Sequence, residues 1–303
     1  MQNKISIYIG IIVFTLFFAS CEKSIKVNLP PFTSKLTINC LTEINNPFYV
    51  MVGNTMPITT VVGSTPISFA KVNLYENGVF KEQLVYDSVS FSYYSQTLAT
   101  SGKTYKLKVS AEGYTDVSAE VIAPVETPIT NINHILNARK GVDGSMEDEL
   151  TLQFQDPSVP NDYYLLSIIE GHDTLGNQFG SFCVFSSDPS IETSANELVD
   201  ANTCLDNKRI FMRDGLFNGK QKELKLYVNS DNLLQFPTYY DTTYPVLSLI
   251  HVPEACFRYY KSLEVAKNTK DDPFSEPVNV YSNVVNGYGL FAIKSSSSIE
   301  LKP

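Results

Sequence analysis

The sequence predicts an all-β fold, with two β-sandwich domains of the immunoglobulin or transthyretin type in tandem and one helix near the C-terminus of the second. Three observations carry this expectation. Tyr and Phe, 18 of each with no Trp, accompany many Val, Ile and Thr, side chains that suit a pleated, half-buried surface. Short runs alternate apolar and polar residues with a period of two along most of the chain. Between the runs stand Gly, Pro and Asn-Gly pairs, which turn one strand back on the next.

The first 20 residues are of another kind. Lys4 precedes a nearly uninterrupted apolar run from Ile5 to Phe18, and Ala19 and Ser20 lead into Cys21. This is a signal peptide's plan, and 14 apolar residues fall short of the roughly 17–25 needed to span a bilayer. Small residues directly before a cysteine resemble a bacterial lipoprotein signal, although Phe18 stands where the common pattern has Leu. The expectation is cleavage after residue 20, with Cys21 becoming the diacylated and N-acylated first residue of the mature protein. Several acyl chains at one site anchor a protein to a membrane effectively for good. Residues 21–35 follow as a lipid-anchored tether, kept extended by Pro30 and Pro31.

Residues 36–125 read as the N-terminal β-sandwich. Leu36, Ile38 and Cys40 share one face of LTINCL, and KVNLYENGVFKEQLV (71–85) places Asn77-Gly78 between two alternating runs, a strong hairpin signal. In YKLKVS (105–110), Tyr105, Leu107 and Val109 face one way and Lys106, Lys108 and Ser110 the other; VSAEV (117–121) repeats the pattern. The composition then shifts. Residues 126–149 carry Pro128, Gly141, Gly144 and the cluster Glu147-Asp148-Glu149, and read as a linker whose acids lie in a solvated loop. The spacing of an EF-hand calcium loop is absent.

Residues 150–303 resume the strands. LTLQFQD (150–156), YYLLSII (163–169), KELKLYV (222–228) and VLSLIHV (246–252) follow in turn, the last apolar on both faces and therefore central. PEACFRYYKSLEVAK (253–267) is the expected helix, with Pro253 in its first turn and an apolar stripe through Cys256, Tyr260 and Leu263, flanked by Tyr259 and Ala266. Two strand-like runs around Asn286-Gly287 close the chain and should complete the second sheet.

The charge and the motifs narrow the function more than they name it. With 23 basic against 32 acidic residues the net charge is −9, which disfavours a nucleic-acid partner. Export to an oxidising compartment allows disulfides. Cys183 and Cys204 bracket a polar insert (186–202), so they are either a bridge that staples it or two free thiols. Cys40 and Cys256 read as core residues, and no cysteine or histidine spacing suits zinc, so neither a metal nor any other cofactor is expected. His134, His172 and His251 each stand alone, no Ser lies in a G-x-S-x-G elbow, and no glycine loop fits a phosphate. These absences predict a protein that is not an enzyme.

The order of several segments resembles a known family. GKTYKLKVSAEGY (102–114), LQFQDPSVPNDYYLLSI (152–168), RDGLFNGK (213–220), FRYYKSLE (257–264) and DDPFSEPVNVYSNVVNGYGLF (271–291) are similar to the Bacteroidota lipoproteins of domain of unknown function 4249. The resemblance implies an outer-membrane lipoprotein, often encoded beside TonB-dependent receptors, with no catalytic residues to carry across. The leading expectation is therefore a noncatalytic accessory or ligand-capture partner of such a receptor. A stand-alone glycan- or peptide-binding sandwich is the alternative, and a hydrolase built on a sandwich scaffold stands third. Asp271, Asp272 and Glu276, in the charged and Pro-punctuated loop after the helix, are the expected partner-binding residues. Glu22 directly after the cysteine gives slight support to display on the cell surface.

Overall fold

A computed structural model describes residues 31–302 apart from 58–59, 61–64, 170–180, 194–200, 235–243, 270–275 and 277. Cys21, the signal segment and most of the tether lie outside the described residues, as do His172, Asp271 and Asp272. The chain divides after Thr33, and the architecture below is that of Ser34–Pro303.

A nine-stranded sheet runs through the whole of that unit. From one edge its order is β13 (Ile191–Glu192), β15 (Ile210–Arg213), β11 (Tyr163–Ile169), β17 (Val246–Val252), β18 (Tyr288–Glu300), β1 (Leu36–Glu43), β2 (Pro47–Asn54), β6 (Ser92–Leu98) and β5 (Val85–Asp87). A four-stranded sheet, β4 (Val79–Gln83), β3 (Lys71–Glu76), β7 (Thr104–Ser110) and β8 (Val117–Ile122), shares a core with its N-terminal half. A five-stranded sheet, β14 (Leu205–Asp206), β12 (Cys183–Phe185), β16 (Gln221–Asn229), β10 (Met146–Gln155) and β9 (Ile129–Lys140), does the same for the C-terminal half. The fold is all-β as expected. In place of two separate sandwiches, however, two cores share one sheet.

Strand β18 makes the join. Its first half pairs in parallel with β1, from Thr37↔Tyr288 to Glu43↔Lys294. Its second half pairs antiparallel with β17, from His251↔Ser295 to Val246↔Glu300. Because side chains alternate across a strand, Phe291 and Ile293 enter the first core while Leu290 and Ala292 point to the opposite face. Ile299 and Leu301 then reach the second core. The segment before β18 is a strand only in expectation. Residues 278–284 form no strand; the Asn283 side chain caps Phe291 N–H and C=O instead, and Val285 bridges Ser118.

The stretch 126–149 is no linker. Most of it folds into β9 and the start of β10, which pair from Met146↔Lys140 to Phe154↔Ile129. The cluster Glu147-Asp148-Glu149 does not lie in a solvated loop either. Glu147 and Asp148 are buried, Glu147 meeting Arg139 at 2.6 Å and Asp148 meeting His134 at 2.8 Å. Glu149 pairs with Lys225 at 3.0 Å, and these contacts hold its carboxyl below the ordinary range.

Asn77 and Gly78 both have positive φ (48° and 80°), the conformation a two-residue hairpin loop requires between β3 and β4. The expected helix is α2 (Glu254–Thr269), preceded by a short α1 (Ser230–Leu234). It lies on the face of the shared sheet opposite the two cores, packing Cys256 and Phe257 against Leu165, Phe211, Val252, Leu290 and Ala292. Its buried stripe is rotated from the expected one. Cys256, Phe257 and Lys261 are buried, whereas Tyr259, Tyr260 and Leu263 are only partly covered. Lys261 tolerates this position because its ammonium reaches Glu192 of β13 at 3.0 Å.

Cys183 and Cys204 form a disulfide that closes the excursion between β12 and β14, and Cys40 and Cys256, the other cysteines among the described residues, are buried and unpaired. Burial pushes the Cys40 and Cys256 thiols up to about 12, so neither is a ready nucleophile. A Cys183→Ser/Cys204→Ser variant should lose about 3 kcal/mol, the chain-entropy value for a loop of this length. Urea unfolding under oxidising conditions measures it, and a loss below about 1 kcal/mol would mean that the loop is held by its other contacts.

Candidate functional site

Two features stand out from the scaffold, one apolar and exposed, the other acidic and buried. The first is the outer face of the shared sheet where the helix does not cover it. In β2 the residues Phe48, Val50 and Val52 fill the first core, so Tyr49 and Met51 must point outward. Tyr49 lies beside Tyr94 of β6, which in turn lies beside Val85 of β5. Leu41 of β1 and Met51 continue the patch toward α2. Tyr49 is 58% and Met51 53% exposed, and Leu41, Tyr94 and Val85 are exposed with them. A groove of about 400 Å³ runs between this patch and the helix, where Tyr259 and Tyr260 form its far wall. The patch thus adjoins the apolar cluster that seats the helix.

The second feature sits where two loops cross from one sheet to the other. Strand β10 ends at Gln155 and β11 begins at Tyr163, which leaves Asp156 and Asp162 at the two ends of the connecting loop. Strand β15 ends at Arg213, and Asp214 opens a 3-10 turn, Asp214–Leu216, on the way to β16. The register of β11 against β15, Tyr163↔Arg213, brings Asp162 alongside Asp214, whose N–H donates to the Asp162 carbonyl at 3.2 Å. One carboxylate oxygen from each of Asp156, Asp162 and Asp214 falls within 4.8 Å of the others, and among the described residues this is the group that could hold a metal ion.

The wiring around these acids is uneven. Asp156 Oδ1 accepts from the buried Tyr164 hydroxyl at 2.6 Å and Oδ2 from Gly219 N–H at 2.8 Å. Burial, reinforced by the charges of Asp162 and Asp214, nevertheless holds the Asp156 carboxyl above its ordinary range. Burial beside Asp156 likewise raises the Tyr164 phenol. Asp162 Oδ1 meets His251 Nε2 at 3.0 Å, and His251 Nδ1 donates to the Val125 carbonyl at 3.0 Å, with Thr127 Oγ1 at 3.2 Å. Val125 and Thr127 belong to the crossing from β8 to β9. The histidine therefore ties the acidic cluster to the junction of the two halves. Asp214, 3% exposed, and Asp162 each keep a buried Oδ2 with no hydrogen-bond partner.

His134, Asp148 and Ser230 form another buried polar group, with Ser230 Oγ donating to Asp148 Oδ1 at 2.5 Å. The carboxylate stands between the hydroxyl and the imidazole, so the serine has no direct route for passing its proton to the histidine as a nucleophilic triad requires.

Of the residues singled out from sequence, Cys183 and Cys204 are bonded to each other, Glu276 is exposed, and Cys21, Asp271 and Asp272 lie outside the described residues. The apolar patch had a legible signal, since PFYVMVGN (47–54) is apolar on both faces of one strand. The acidic cluster had none in its spacing, because 58 residues separate Asp156 from Asp214 and only strand register brings them together.

Among family models, one described as a domain of unknown function, DUF4249, matches residues 22–300. No curated protein matches the chain.

Proposed function

The chain belongs to the DUF4249 family, and from that premise we propose that it is a noncatalytic lipoprotein, anchored to the outer membrane through Cys21, that docks on a TonB-dependent receptor. The observation that carries this reading is the exposed apolar row Val85–Tyr94–Tyr49, with Leu41 and Met51, beside the helix. Contiguous apolar surface rimmed by polar residues is what partner proteins cover. The side chains also favour a protein over a sugar: Leu41, Met51 and Val85 flank the paired tyrosines, so aliphatic surface and not ring faces alone makes up the patch. No described helix is long and apolar enough to cross a membrane, and the membrane attachment in this reading falls to the acyl chains of Cys21.

The test is an affinity pull-down of the tagged full-length protein from its native membranes. Wild type should bring down one receptor of the TonB-dependent class in stoichiometric amount. Tyr49→Glu/Met51→Glu should melt within a few degrees of wild type, both side chains being exposed, and recover at least tenfold less receptor. Cys21→Ser should move the protein out of the membrane fraction or leave it as an unprocessed precursor. Equal receptor recovery by the double variant would refute docking through this face, and a mature, membrane-held Cys21→Ser protein without lipid would refute the anchor.

A further inference from the structure

We infer that Asp156, Asp162 and Asp214 form a calcium site that pins the two crossing loops at the junction of the shared sheet. The three ligand oxygens lie within 4.8 Å of one another, the span of two Ca–O bonds of about 2.4 Å on opposite sides of one ion. Mg²⁺ demands a near-ideal octahedron, keeps several waters and is usually bound through one or two carboxylates, whereas calcium takes six to eight oxygens in flexible geometry, so three converging carboxylates suit the larger cation better. All three donors are carboxylates, which suits a hard cation and disfavours zinc or copper.

Proximity of acids alone would not make a site. The independent observation is Asp214, 3% exposed, whose Oδ2 has no partner. A buried, unpaired carboxylate oxygen is among the costliest groups a protein can keep, and the chain keeps a second at Asp162 Oδ2 within the same cluster. Among the described residues no lysine or arginine lies within 4 Å of these carboxylates; the basic side chain that reaches them is His251, whose Nε2 stands 3.0 Å from Asp162 Oδ1. A divalent cation supplies both the missing positive charge and the missing ligand contact. Asp162, the least buried of the three, opens the way in for the ion and for the waters that complete the six to eight ligands calcium takes.

The consequence is mechanical. Asp156 and Asp162 close the loop between β10 and β11, Asp214 starts the turn after β15, and Asp162 also holds His251, which fastens Val125 and Thr127. An ion here would lock the end of the C-terminal core to the crossing between the halves. Lid-like binding of a small substrate is not implied, since the carboxylates are turned toward one another.

Equilibrium dialysis of the full-length protein with ⁴⁵Ca²⁺, alongside thermal melts in CaCl₂, MgCl₂ and EDTA, tests the site. The expected result is one calcium bound per chain and a rise in Tm of about 5 °C or more at a hundredfold excess over Kd, with a smaller response to Mg²⁺. Asp214→Asn, which removes charge from a side chain without a hydrogen-bond partner at Oδ2, should bind at least tenfold more weakly, and in EDTA it should melt no lower than wild type. Failure of wild type to bind calcium, equal stabilisation by Mg²⁺, or an undiminished response in Asp214→Asn overturns the inference. Should Asp214→Asn not fold, the wild-type stoichiometry and the Ca²⁺ against Mg²⁺ comparison decide the matter alone. Receptor capture is not a readout here, so the docking surface and the ion site fail or stand separately.

Discussion

Replacing Gly289 with alanine is expected to cost about 4 kcal/mol or more, enough to keep the protein from accumulating in folded form. Gly289 has φ of +114°, a region that L side chains scarcely enter, and occupying it costs about 1–3 kcal/mol by itself. Space is shorter still. A Cβ built on Gly289 would stand 1.9 Å from the Ile38 carbonyl oxygen, and that oxygen belongs to β1, the parallel neighbour of β18. Relief can come only by moving the two strands apart at the place where the halves of the sheet are joined. Soluble yield and thermal melts measure the effect, with Gly78→Ala as the comparison: its φ is +80° but nothing lies within 4 Å of a Cβ there, so only the conformational cost of about 1 kcal/mol applies. A Gly289→Ala protein that melts within 2 °C of wild type would show that the strands are not held this closely.

Phe291→Ala, two residues on, should destabilise by about 3–5 kcal/mol through the cavity it leaves. Phe291 is fully buried in the first core, with the Phe48 ring at 6.1 Å and Tyr105 behind it, 5.0 Å from Phe48. The partners are fixed in a strand layer on each side, so the gap has little means of closing. Urea unfolding measures the loss, and the neighbouring Tyr288→Ala, half-exposed, should lose less than about 1 kcal/mol. Comparable losses for the two would mean that the alternation along β18 does not set which side chain fills the core.

Much of this architecture was legible as periodicity. The alternation of Tyr105, Leu107 and Val109 does put those side chains in the core, Asn77-Gly78 does turn a hairpin, and the helix begins one residue after Pro253. Where the reading failed, polar residues were responsible. Strand β9 has most of its positions exposed to solvent, and its Asn, His, Arg and Lys look like a loop. It is an edge strand, however, and needs only a thin apolar face to pair with β10. Glu147 and Asp148 look solvated because acids usually are; Arg139, opposite Glu147 in that pairing, and His134, which reaches Asp148 from its place opposite Leu150, let them be buried. On the helix the apolar spacing predicts a stripe through Cys256, Tyr260 and Leu263, and Glu192 across the interface lets Lys261 join Cys256 and Phe257 in place of Tyr260 and Leu263.

The sequence by itself determined most of the residues that lie in strands, where most turns fall, and that the body is all-β, because these follow from spacing along the chain and from the backbone freedom of Gly and Asn. Tertiary structure alone decided which strands are neighbours. A period of two says that Leu290 and Phe291 face opposite ways and says nothing about what each one meets; pairing β18 with β1 on one side and β17 on the other turned two sandwiches into one shared sheet. Register is likewise a property of contacts distant in sequence. Tyr163↔Arg213 sets Asp162 beside Asp214, and Tyr49↔Tyr94↔Val85 assembles the exposed row. Tyr49 and Met51 could be read as one face of one strand, but what joins them to Tyr94 and Val85, and Asp156 and Asp162 to Asp214, is the outcome of folding.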